Sequence, residues 1–293
     1  MGSALAAAAL VLNALVWGVS WWPFRALQSQ GLHPLWATVS IFVLALACLL
    51  LIKPGAWRGL RQYPMLWLLV LASGLTNVGF NWAVTEGDVV RVVLLFYLMP
   101  AWVVVLAWPL LGEKPDTGAL LRLALALTGV VIVLKTPDAP WPLPESLPDA
   151  LALMGGFCFA LTNILLRKLR QTPDESRMLA MFGGGAVMAL GAALTGWQLG
   201  LVALPPVPHM DWLGLAALVG LAFLAGNLAL LYGAARLPAG TTALVMLTEV
   251  LFASVSSVLL GAAELTARTL AGGALIVLAA LWAAWPRRSG TGP

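Results

Sequence analysis

Charge is scarce in this sequence: Lys and Arg number 16 and Asp and Glu 12, together 10% of 293 residues. A water-soluble domain carries roughly 25%. A chain that is 61% hydrophobic, with a mean hydropathy of +0.94, cannot cover a water-facing surface with so few ionisable groups. Lipid must be its main solvent. Cysteine is scarcer still. Cys48 and Cys158 both sit inside apolar runs, which excludes a disulfide framework and leaves two small buried hydrophobes. The two histidines, His33 and His209, lie at loop edges. There is no Gly-Lys-Ser/Thr phosphate loop, no His-Glu-x-x-His and no Gly-x-Ser-x-Gly string. An ATP-driven pump, a zinc hydrolase and a serine hydrolase therefore have little to work with, and no enzyme activity, cofactor or metal is expected. The formal charge of +4 is dispersed over short loops rather than gathered in one block, so it reads as a topology signal and not as a nucleic-acid surface.

What the sequence has in abundance is apolar runs of spanning length, about 20 residues each. Ten are placed near 4–24, 34–52, 65–85, 90–111, 118–135, 149–167, 176–197, 212–235, 240–260 and 268–286. The fold class is therefore all-α, a polytopic membrane protein. The first run lacks a basic stretch before it and outlasts a signal peptide, so a retained first helix is expected. Many of the 14 Trp, including Trp36, Trp57, Trp67, Trp212, Trp282 and Trp285, fall near run ends, where an interfacial belt would hold them. The one long connection, 136–148, contains five prolines and divides the chain at its middle, giving segments 1–135 and 149–293.

Orientation follows from the cations. Alternating loops place twelve Lys and Arg on one side, among them Lys53, Lys114, Arg122, Arg167, Arg177, Arg236 and Arg287, and four on the other: Arg25, Arg91, Lys135 and Arg268. The rich side is read as cytoplasmic, with both termini on it. The opposite side is acidic, with Glu86, Asp88, Asp138, Glu145, Asp149, Asp211 and Glu264.

The halves also echo one another. Asn77 and Trp82 are five apart in the third run, as are Asn227 and Tyr232 in the eighth. Trp17 precedes Arg25 by eight residues, as Phe159 precedes Arg167. Leu110-Leu111-Gly112-Glu113 after the fourth run matches Leu259-Leu260-Gly261-Ala262-Ala263-Glu264 after the ninth. Five helices per half is an odd number, so the halves enter the membrane from opposite sides, as an inverted repeat.

These features resemble the drug/metabolite transporter superfamily of EamA type: two five-helix halves, each with a Leu-Gly-Glu-like turn and then a glycine-containing last helix (Gly129; Gly272-Gly273), and Pro100 thirteen residues before Glu113. Within it the chain looks most like the bacterial aromatic amino acid exporters of the YddG type. The resemblance implies a ten-helix basket whose first, third, fourth, sixth, eighth and ninth helices line a central cavity, and export of amino acids without ATP hydrolysis. Helix nine departs from the pattern, carrying Glu249 near the place of Pro100.

Glu249 is the most informative residue. It lies about ten residues into its run, where a carboxylate costs roughly 3 kcal/mol or more. It either pairs with a substrate ammonium or exchanges a proton, or it is a neutral carboxyl bonded to a neighbouring helix. The amides of Asn13, Asn77, Asn81, Asn163 and Asn227 offer donors and acceptors for an amino acid, or equally interhelical bonds. Of the interior aromatics Trp17, Trp21, Phe80, Trp82, Phe96, Tyr97, Trp102, Phe157, Phe159 and Tyr232, the preferred pocket candidates are Trp17, Tyr97, Trp102 and Tyr232. The candidate substrate site is thus Trp17, Asn77, Asn81, Tyr97, Trp102, Asn163, Asn227, Tyr232 and Glu249. Arg25, Glu86, Asp88 and Arg91 form either an outer gate or solvated helix ends. Glycine and alanine pairs and the Gly183-Gly184-Gly185 run suit close helix packing.

The expectation is a secondary transporter in a bacterial cytoplasmic membrane, exporting aromatic and other neutral amino acids by alternating access. Its partners are the small-molecule substrate and the lipid bilayer, with no nucleic acid, and it is read as a monomer. Drugs or other metabolites are the alternative cargo; a nucleotide sugar would want paired cations in the interior, which holds almost none. A membrane scaffold or intramembrane enzyme is the reading from another class.

Overall fold

A computed structural model describes residues 2–86, 92, 95–134, 144, 146–260 and 266–284. Among these residues there is no strand, and the chain is a polytopic all-helical membrane protein. The helices are α1 (Gly2–Val19), α2 (Trp21–Ser29), α3 (Pro34–Ile52), α4 (Arg58–Gln62), α5 (Met65–Glu86), α6 (Met99–Leu111), α7 (Thr117–Leu134), α8 (Leu147–Lys168), α9 (Asp174–Gln198), α10 (Met210–Arg236), α11 (Ala239–Met246), α12 (Glu249–Leu259) and α13 (Ala267–Ala284). Seven described stretches are long and apolar enough to cross a membrane: Ser3–Ser29, Pro34–Ile52, Met65–Ala83, Leu147–Lys168, Asp174–Gln198, Met210–Arg236 and Ala239–Ser256. Three shorter apolar helices, Met99–Leu111, Thr117–Ile132 and Leu270–Ala283, occupy the other expected windows. Asp88, Arg91, Lys135, most of the Pro-rich connection, Glu264, Trp285, Arg287 and Arg288 lie outside the described residues.

Local chemistry explains the ends. Ser146 and Asp149 form a capping box that opens α8, and Arg167 and Lys168 close it where the helix dipole is negative. His33 Nδ1 accepts the Leu35 N–H at the start of α3, with Pro34 in the first turn, where a missing N–H costs least. Gly112, with φ of 73°, ends α6 in the left-handed region that suits glycine. The first span breaks at Ser20, so Pro23 falls in the first turn of α2 rather than in a helix interior. One element was not expected. The short α4 lies in what reads as a basic loop, tucked under α9 with the Ser176 hydroxyl donating to the Ala56 carbonyl at 3.1 Å.

The helices pack across the two halves of the chain. α5 lies against α8 and α9, and α1 against α10 and α12. α3 lies against α9 and α10, α6 against α8 and α11, and α7 against α13. Without a hydrophobic drive between helices in lipid, close backbone approach supplies much of the attraction. At Gly184 a Cβ would stand 2.2 Å from the Val70 carbonyl oxygen of α5, and at Gly74 one would stand 2.6 Å from the Gly184 oxygen. Only two glycines allow that crossing.

Gly184→Leu should therefore separate α5 from α9. Fluorescence-detected size exclusion is expected to show loss of the monodisperse peak. Gly183→Ala, at a position with nothing within 4 Å of a new Cβ, should elute as the wild type.

Candidate functional site

The helical path is interrupted at two places, Tyr97–Leu98 and Leu247–Thr248. Before α6, Tyr97 and Leu98 form a turn, with Leu98 N–H donating to the Leu95 carbonyl at 3.3 Å and Ala101 N–H to Leu98 at 2.9 Å. Between α11 and α12, Leu247 and Thr248 do the same, with Thr248 N–H on Val245 at 3.0 Å and Val250 N–H on Leu247 at 3.1 Å. These three-residue spacings tighten the chain locally and leave the regular ladder broken. The Thr248 hydroxyl also donates to the Val245 carbonyl, at 2.8 Å.

A glycine brings a neighbouring helix onto each interruption. A Cβ at Gly18 of α1 would stand 2.7 Å from the Glu249 carbonyl oxygen, and one at Gly156 of α8 would stand 2.6 Å from the Phe96 oxygen. The interruptions meet through side chains: the Tyr97 hydroxyl, in one, interacts with the carboxyl of Glu249, which opens the half-helix after the other. That neighbour matters for a carboxyl group held away from bulk water, where an unmet one is expensive.

Glu249 reaches a cavity of about 60 Å³ lined also by Trp17, Phe42, Ser73, Thr76, Asn77, Phe80, Asn81, Phe96, Phe159, Thr162, Met181, Asn227 and Leu230. Its walls are aromatic. On one side Trp17 stacks on Phe223 at 4.2 Å, and Phe42 meets Phe223 edge-on at 6.0 Å. On the other Phe96 lies 4.7 Å from Phe80, 5.8 Å from Phe159 and 5.9 Å from Tyr97. Polar groups fall among these walls. Asn77 and Asn227 behave alike: each Nδ2 donates to the carbonyl four residues back, Ser73 and Phe223, at 2.8 Å. Each amide keeps its Oδ1 and a second N–H for another partner. Asn81 donates to the Thr38 hydroxyl of α3.

Of the nine residues singled out from sequence, Trp17, Asn77, Asn81, Asn227 and Glu249 line this cavity, and Tyr97 reaches it through Glu249. Trp102, Asn163 and Tyr232 are not among its lining residues. Trp102 packs edge-on against Phe157 at 5.8 Å. Asn163 is buried in α8, and the Tyr232 ring lies 3.7 Å beneath the Arg236 guanidinium. Trp102 and Tyr232 were favoured for their helices, yet a helix presents only part of its surface to a cavity. The sequence reading passed over Phe42, Ser73, Thr76, Thr162, Met181 and Leu230. A signal for some of them existed: Ser73, Thr76, Asn77, Phe80 and Asn81 recur at three- and four-residue spacing, one face of α5. Arg25, expected in an outer cluster, lies with its guanidinium 5.2 Å from the Trp21 ring.

The sequence pattern of the EamA-like transporter family matches residues 4–135 and again residues 146–285. A protein of Helicobacter pylori named an uncharacterized transporter is 25% identical over 242 residues, covering 80% of this chain and 78% of the relative. An uncharacterized transporter of Pseudomonas aeruginosa is 36% identical over 93 residues, 30% of this chain and 31% of the relative. A solved crystal structure superposes with a TM-score of 0.76 over 95% of this chain and 96% of that one at 18% identity, which shows a shared fold.

The Tyr97–Glu249 interaction is testable in the purified protein. Tyr97→Phe should lower thermal stability by about 1–3 kcal/mol, the cost of an unmet buried group. Tyr97→Phe combined with Glu249→Gln should cost clearly less than the sum of the single changes, since both remove one interaction. Additive losses would show that the two side chains act apart.

Proposed function

This chain belongs to the EamA-like transporter family, and we propose that it exports aromatic and other neutral amino acids across a bacterial cytoplasmic membrane by alternating access. The observation that carries the proposal is the convergence of repeat-related residues on one cavity. Trp17 and Phe159, matched eight residues before Arg25 and Arg167, both line it, and so do Asn77 and Asn227. A site built by both halves can be exposed to either side when one half rocks against the other.

The proposed architecture is ten membrane helices in two inverted halves with both termini cytoplasmic. Four observations support it. The family pattern fits the chain twice, once in each half. The interruption at Leu247–Thr248 recurs 150 positions after that at Tyr97–Leu98. The packing also keeps its form when the halves are exchanged, with α1 and α2 taken for α8, α3 for α9, α5 for α10, α6 for α11–α12 and α7 for α13. The contact of α1 with α10 then becomes that of α8 with α5, α3 with α10 becomes α9 with α5, and α1 with α12 becomes α8 with α6. Three shorter apolar helices beside the seven long stretches are in keeping with ten spans.

An amino acid suits the chemistry of this cavity. Glu249 is a partner for an ammonium group, the amides of Asn77 and Asn227 offer N–H to a carboxylate, and the aromatic walls accept a large flat side chain. Ligand sites for drug-sized molecules span roughly 300–1,000 Å³. At about 60 Å³ the cavity is contracted, so binding requires the halves to part. The same walls suit an apolar drug without a carboxylate, the reading that substrate competition separates from this one.

Counterflow in liposomes of purified protein tests the proposal. Phenylalanine or tryptophan trapped inside should drive uptake of the labelled amino acid, and phenethylamine, lacking the carboxylate, should compete weakly. Flux of phenethylamine or a lipophilic drug in place of amino acids would favour the alternative cargo. Absence of all flux would contradict transport. Glu249→Gln should remove the response of counterflow to an imposed pH gradient; unchanged pH dependence would remove Glu249 from proton exchange.

A further inference from the structure

A larger cavity, about 600 Å³, lies at the end of the molecule that carries Glu113 and Arg236. It is bounded by α6 and α7, the corner between α10 and α11, and the ends of α1 and α13. Helices and their connections thus bound it on several sides, and its deep wall includes Pro100 and Leu244. These stand three residues beyond Tyr97 and three before Leu247, at the two interruptions. Phe96 and Glu249, which line the inner cavity, stand four residues before Pro100 and five after Leu244.

Five charged side chains line it: Glu113, Lys114, Asp116, Arg122 and Arg236. The two carboxylates are already engaged. Glu113 accepts from Arg167 Nε at 3.4 Å through Oε1 and from the Ala239 N–H at 3.1 Å through Oε2, which fastens the loop after α6 to the ends of α8 and α11. Asp116 accepts the Ala119 N–H at 2.6 Å, capping α7, and lies 4.0 Å from Arg122. Two cations are held without a carboxylate among the described residues. Lys114 lies with Nζ 5.4 Å from the Trp108 ring. Arg236 stacks on Tyr232 and donates to the Tyr232 carbonyl at 3.0 Å, which among the described residues spends one of its five N–H groups. The excess is positive and sits in a cleft, where low-dielectric walls focus it.

We propose that this vestibule is a separate capture site for small water-soluble carboxylates, held by Lys114 and Arg236 before the carboxylate moves on to the inner cavity. The order of events rests on the transport reading above; capture itself does not. Basic pockets between membrane helices can also hold lipid headgroups, which the phosphate probe below separates from a soluble carboxylate. The charge pattern gives the two sites opposite tastes: carboxylate first, then the ammonium group at Glu249.

Isothermal titration of the purified full chain in neutral detergent is the test, with benzoate, phenethylamine and glycerol 1-phosphate as probes. Benzoate is expected to bind at low salt and phenethylamine to bind at least tenfold more weakly. Lys114→Gln and Arg236→Gln should each weaken benzoate about 3- to 10-fold, Arg236→Lys should restore most of the loss, and Lys53→Gln, outside the vestibule, should leave it unchanged. Absence of benzoate binding, equal binding of phenethylamine, or indifference to both Gln variants would overturn the proposal. Tighter binding of glycerol 1-phosphate than of benzoate, sensitive to the same variants, would overturn it in favour of a phosphate or lipid-headgroup site. Benzoate capture together with failure of amino acid counterflow would leave this site standing while refuting the amino acid reading.

Discussion

Within hydrocarbon, a backbone N–H or carbonyl without a partner costs several kcal/mol, so a spanning chain stays helical unless protein or a cavity covers the gap. That constraint gives the interruptions at Tyr97–Leu98 and Leu247–Thr248 their significance. Each is patched locally, by three-residue hydrogen bonds and, at Thr248, by the side-chain hydroxyl. Each is also covered by a neighbouring helix brought close by a glycine, Gly156 in one case and Gly18 in the other. The interruptions are joined by Tyr97 and Glu249 and sit beside the inner cavity.

From this arrangement the rest follows. The crossings of α5 with α9 and of α7 with α13 depend on glycine pairs, Gly74 with Gly184 and Gly129 with Gly272, because helices in lipid attract one another mainly by close packing. A frame held by shape can slide without exposing a hydrophobic core to water. The fastening at Glu113 has a different character. One carboxylate joins a loop of the first half to two helix ends of the second, so relative motion of the halves at that end must stretch or break charge-assisted bonds. On the transport reading, the glycine crossings permit the motion and Glu113 restrains it at one end.

How much of this was legible in the sequence depends on the length scale of the signal. Spans are written over 20 residues, and most boundaries fell close to those expected. Asn77 and Asn227 were legible because repetition singled them out, and both reached the cavity with the same hydrogen bond. Glu249 was legible because a carboxyl group in an apolar run is costly. Trp102 and Tyr232 show the limit: knowing the helix does not give the face, and a small change in azimuth turns a wall of the cavity into packing. The interruption near Pro100 had a sequence marker, whereas Leu247 and Thr248 are ordinary residues whose turn is set by packing around them. The partnership of Tyr97 with Glu249 spans 152 positions, so no local pattern could encode it.

The central claim is that one cavity, built by both halves, faces both sides of the membrane in turn. Asn227→Cys, made in a Cys48→Ala/Cys158→Ala background and reconstituted in vesicles of known orientation, tests it most directly. An impermeant maleimide should label Cys at this position from either face, and a transported amino acid should slow both reactions. Labelling from one face alone, with no protection by substrate, would contradict the account.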